Sequence, residues 1–181
     1  MRKKAMFKSW RYNVLTKEHL RRLMADQILP QGALTDTWHV NNRVNMRLLD
    51  GLTDQQLAAT ILPRGRTVTS YFVHMHMARI YWLQRRAPAL AKSLKKIPGG
   101  TASRASLRQA LIDSGKAMGE LFAEGERSGR MKGVKLGPVA FLGYALGHEG
   151  HHRGQILLHL KIAKLPVDQA TQWSLWSWNK I

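Results

Sequence analysis

The 181 residues include no cysteine. That removes a disulfide framework, a thiolate nucleophile and a thiolate metal ligand together. Any metal must therefore be held by histidine and carboxylate. Acidic residues are scarce, 11 Asp and Glu against 29 Lys and Arg, for a formal charge of +18. There is no run of about 18 apolar residues, so a membrane span is not expected. No apolar stretch follows the basic "MRKKAMFKSWRYNV" to make a secretory signal. A cytoplasmic location is the expectation. Sustained two-residue alternation is missing too, so no sheet is expected. The chain holds neither an internal repeat nor a low-complexity tract.

What is present is helical periodicity in a chain that is 44% hydrophobic and long enough to bury a core. Residues 1–31 read as a basic extension with a short helix from Thr16 to Asp26, ended by "LPQG". The extension carries Arg2, Lys3, Lys4, Lys8, Arg11, Lys17, Arg21 and Arg22. Four longer helices follow. The first runs from Thr35 to Leu49, with Thr35 or Asp36 as N-cap and Gly51 past its end. The second runs from Thr67 to Arg86 and stops ahead of Pro88. The third spans Ser103 to Ser128, and the fourth Pro138 to Lys164, with Pro138 in its first turn. Gly- and Pro-punctuated linkers separate them. The expectation over residues 32–181 is an all-α four-helix bundle. Trp173, Trp176 and Trp178 in the tail are expected to dock on it, since three loose tryptophans would be poorly soluble.

The fourth helix carries "GHEGHHRGQ". At 100° per residue, Gly143, Gly147, Gly150 and Gly154 form one stripe, opposite Phe141, Ala145, His148, His152, Gln155 and His159. Each interior glycine costs about 0.8–1 kcal/mol against alanine, so close approach of another backbone is expected there. The extension and a second subunit are the candidates. His148 and His152 stand at i and i+4, the spacing at which one helix offers two imidazoles to one ion. His159 lies about 10 Å further along the axis, too far to share that ion. His151 is rotated away.

The stretch also spells H-E-x-x-H, with His148, Glu149 and His152. A zinc protease needs a third ligand beyond it. The extended motif's glycine and histidine positions hold Gln155 and Leu158 here, and the one downstream carboxylate is Asp168, beyond Pro166. With no strand expected to hold a peptide, a protease is disfavoured. A ligand from a facing helix is the alternative, and "YFVHMHMARIYWL" offers His74 and His76. These two point to opposite sides. Periodicity does not choose between them.

The combination of His148-x-x-x-His152-Arg-Gly-Gln-Ile, an earlier His74-x(7)-Trp82-Leu83 helix, the "LLDGLTDQQL" turn and the aromatic tail resembles the DinB-like (DinB/YfiT) superfamily. The resemblance covers about residues 34–165. It implies an up-down-down-up four-helix bundle, usually homodimeric, holding a divalent metal, often nickel or zinc, on three histidines. On this chain those are His74, His148 and His152; His74 is preferred because the family's ligand stands eight residues before the tryptophan. Characterised relatives are metal-dependent hydrolases and transferases that use low-molecular-weight thiols such as bacillithiol or mycothiol. The resemblance thus implies thiol-conjugate chemistry on a small-molecule substrate, with the thiol as a bound cosubstrate, since the chain has no cysteine.

Around such a site Gln155 lies on the histidine face, and Glu149 about 90° off it. Tyr71 and Tyr81 flank His74, where pocket lining and core packing are both open. Asn41 and Asn45 either line the cavity or cap a buried carbonyl. Arg153 reads as a helix-packing or interface residue. The basic extension and the high positive charge lie outside the resemblance. They support an alternative, a non-catalytic bundle that binds nucleic acid or another anionic partner.

Overall fold

The computed structural model describes residues 30–99, 102–135 and 137–180. The expected helix from Thr16 to Asp26 and the basic extension that carries it lie outside the described residues. Among those residues the chain is all helix, with no strand. Four long helices dominate: α1 (Ala33–Gly51), α3 (Val68–Arg86), α5 (Arg104–Ser128) and α6 (Gly137–Ile162). Three short ones lie between and after them: α2 (Asp54–Ala58), α4 (Pro88–Ala91) and α7 (Gln169–Ser174), with a 3-10 turn at Trp178–Lys180.

Side chains set most of the boundaries. Thr67 caps α3 by accepting the Ser70 N–H, and Ser103 caps α5 through the Ser106 N–H. Gly129, in the left-handed region at φ 65, ends α5. The first helix starts earlier than expected. Gly32 at φ 91 turns the chain into it, and its carbonyl accepts the Asp36 N–H at 2.8 Å. Thr35 and Asp36 therefore sit in the first turn rather than at the cap. Helix α6 closes with Lys164 at φ 59 and the Leu165 N–H on the Leu160 carbonyl at 2.9 Å, the Schellman arrangement that glycine usually serves. Helix α2 was unexpected but has a sequence signal. Thr53 and Gln56 form a reciprocal capping box within "TDQQ".

Helices α1 and α3 each pack against both α5 and α6. The apolar core falls into two groups. One gathers Val44, Leu48, Phe72, Leu111, Ile156 and Leu160; the other gathers Trp38, Leu83, Met118, Phe122, Phe141 and Ala145. On every long helix a buried polar residue stands between them: Asn41 and Asn45 on α1, Arg79 on α3, Ser114 on α5 and Glu149 on α6. The bundle thus has a charged layer across its middle.

One expectation changes. The tail packs through Val167 and Leu175, both buried, while Trp173, Trp176 and Trp178 stay 66%, 79% and 40% exposed. The aliphatic residues anchor it because they are the ones aimed inward by α7 and its flanks. Among the described residues the α6 glycines meet no other backbone; the extension and a second subunit, the partners expected there, lie outside them. A Cβ on Gly143, Gly147 or Gly154 would have no neighbour within 4 Å, and one on Gly150 would meet only the end of Arg153. Close approach occurs on α5 instead. A Cβ on Gly115 would collide with the Asn42 amide, and one on Gly119 would lie 2.7 Å from the His39 ring. There the Trp38 indole N–H also donates to the Gly115 carbonyl at 2.8 Å.

Candidate metal centre

Helices α3 and α6 pack side by side and bring three imidazoles together. His148 and His152, one turn apart on α6, have their Nε2 atoms 3.1 Å from each other. His74, reaching across from α3, places its Nε2 3.3 Å from that of His148. One ring nitrogen from each lies within 4.8 Å of the other two, so the group can hold a metal ion. The fit is quantitative. With metal–nitrogen bonds of 2.0–2.1 Å, ligands of a tetrahedral ion stand about 3.3 Å apart. Two of the three separations match that spacing.

The electrostatics favour lone pairs over protons. Burial, then the nearby His148 and His74, push His152 down to about 4, against the hydrogen bond to Gln155. Burial also lowers His148 and His74. His152 Nδ1–H donates to Gln155 Oε1 at 2.7 Å, which leaves Nε2 bare toward the cluster. Gln155 therefore stands behind the histidine rather than in the pocket. Tyr71 packs near His152, ring centroids 6.2 Å apart. Tyr144, which the sequence did not single out, stacks on His148 with an interplanar angle of 18°.

His76 turns the other way. It is buried, and its Nε2 bonds the Lys95 carbonyl at 2.9 Å. His151 is exposed, and His159 is buried edge-on against Tyr71 at 5.8 Å. Glu149 is unavailable as a general base. Arg79 donates to it twice, Nε to Oε1 at 2.7 Å and Nη2 to Oε2 at 3.1 Å. Asn41 and Asn45 donate their amides to Oε2 at 2.5 and 2.6 Å. Burial alone would raise its pKa, but Arg79 and the two amides outweigh that and hold it below the ordinary range. Asn41 and Asn45 thus neither line a cavity nor cap a carbonyl. Their Oδ1 atoms accept from Arg153 Nη1 at 2.8 and 2.7 Å, tying α6 to α1. Arg79 was missed in the sequence. Its signal was an arginine on the apolar face of its helix, level with Phe72, Met75 and Leu83.

Fold and site together define a helical bundle with a three-histidine cluster able to hold a metal ion. The sequence profile described as the DinB family matches residues 24–163. The chain belongs to the DinB family. The match begins inside the stretch expected as the extension. Searches of curated proteins and of solved structures returned no match.

Proposed function

We propose that His74, His148 and His152 hold one divalent ion, nickel or zinc, and that the chain is a metal-dependent hydrolase or low-molecular-weight-thiol S-transferase. The convergence of three imidazoles at 3.1 and 3.3 Å carries the reading. Three protein ligands leave open positions, as in catalytic rather than structural sites. When bound, the ion supplies Lewis acidity, which lowers the pKa of a water or thiol that meets it. The chain's own part is to hold the three rings. Gln155 fixes the His152 tautomer, and the Arg79–Glu149 pair locks α3 against α6 one residue from His148. Tyr71 and Tyr144 cover the flanks of the cluster. The reading places the protein in the cytoplasm, where thiol cosubstrates are kept reduced.

Elemental analysis of untagged protein beside its His74→Ala and His152→Ala variants tests this. About one ion per chain is expected in the native protein and none in either variant. A native protein that takes up no metal, even after reconstitution, overturns the reading. Thiol-transfer and hydrolysis screens of the loaded protein then decide between the two reactions. The reading includes a homodimer, for which the glycine face of α6, uncovered among the described residues, leaves room. Sedimentation equilibrium of the native protein and of Gly147→Leu checks it: a dimer weakened by the substitution is expected.

The charge of +18 supports a second reading, a basic bundle that binds nucleic acid. It requires affinity for DNA or RNA that falls steeply with salt and disappears when residues 1–31 are removed.

A further inference from the structure

Beside the histidine cluster stands a cation to which the reaction has so far given no task. Arg66 is the residue just ahead of Thr67, the N-cap of α3. Its guanidinium lies over the Tyr71 ring, 5.5 Å from the centroid. That ring is also the one beside His152 and His159.

Nothing among the described residues neutralises the Arg66 charge. The ion pairs there join Arg79 to Glu149, Arg104 to Asp54, Arg108 to Asp50 and Arg127 to Glu124, and Arg66 is in none of them. Glu149 is the carboxylate one residue from His148 on α6. It is already saturated by Arg79 and two amides. A divalent ion at the cluster would add to the Arg66 charge, which no carboxylate among the described residues pairs.

An exposed guanidinium laid on an aromatic face keeps its planar fork free for a carboxylate or phosphate oxygen pair. Resting on the metal-site reading above, we propose that the substrate is a small anion: Arg66 holds its carboxylate or phosphate group while its reactive end meets the three histidines. This narrows the substrate class to molecules that carry an anionic group separate from the reacting atom. A thiol cosubstrate with a carboxylate fits that description, and so does a carboxylated electrophile.

Cobalt-loaded full-length protein tests it by visible absorption, with two probes that share a metal-binding head. Acetohydroxamate carries no further charge, and succinic acid monohydroxamate adds a carboxylate. The wild type is expected to bind the carboxylated probe about tenfold more tightly, as a charge-assisted pair allows. The preference should shrink as ionic strength rises. Arg66→Ala is expected to bring the two affinities to within about twofold of each other, and Arg66→Lys to keep part of the gap. Equal affinities in the wild type, or a preference that survives in Arg66→Ala, overturn the proposal and leave the metal site standing. Failure of the wild type to take up cobalt overturns both.

Discussion

At Glu149 a carboxylate is buried with one guanidinium bonded to it directly and a second reached through two asparagine amides. Removing one partner of such a group leaves the other uncompensated in a dry interior. Glu149→Ala is therefore expected to destabilise the bundle by about 3–5 kcal/mol, with Glu149→Gln losing less because it keeps the shape and an acceptor. Urea unfolding measures both. A loss under about 1 kcal/mol in the alanine variant would mean that the network holds nothing together. The histidines set a pH dependence of their own. His152 is held down to about 4 against its ordinary 6.5. Between those values the unfolded chain binds a proton that the folded chain refuses, so stability rises with pH across the window and is lost as pH falls through it. The melting temperature of metal-stripped protein should drop from pH 6.5 toward pH 4. It should drop less in His152→Ala; identical profiles would show that the imidazole is not kept neutral by the fold.

At the scale of the helix, two sets of glycines with the same spacing behave in opposite ways. Gly115 and Gly119 on α5 let Asn42 and His39 lie against the backbone, whereas Gly143, Gly147 and Gly154 on α6 have no neighbour within 4 Å among the described residues. Gly115→Ala is expected to cost about 1–3 kcal/mol through overpacking. Gly147→Ala in dilute, monomeric protein should instead gain about 0.8–1 kcal/mol from helix propensity. Thermal unfolding at low concentration compares them, and a destabilising Gly147→Ala would reveal a contact beyond those among the described residues. A glycine stripe is legible in sequence, but the helix it faces is not. The histidine spacing on α6 was legible because it is one turn of one helix. The pairing of Glu149 with Arg79 was not, since 70 residues separate them and each alone reads as a charge on an apolar face.

Over the whole molecule, every residue of the histidine cluster and of the polar layer lies within Gly32–Ile181. Deleting residues 1–31 is expected to leave metal stoichiometry at the full-length value, measured by elemental analysis. A deletion that empties the site would show that the extension supplies part of it. The exposed tail tryptophans have the same bearing on solution behaviour as the charge of +18: they are surface the bundle presents rather than core it needs. Helix existence, helix ends at Thr67, Ser103 and Gly129, and the facing of His148 with His152 followed from the sequence by itself. All are decided within a few residues by capping bonds and the 3.6-residue turn. Tertiary structure decided which of His74 and His76 joins the cluster, which glycines are crowded, and how one carboxylate is shared among α1, α3 and α6. Those depend on the register of one helix against another. That register is set by packing between side chains as far apart as the 74 residues from His74 to His148.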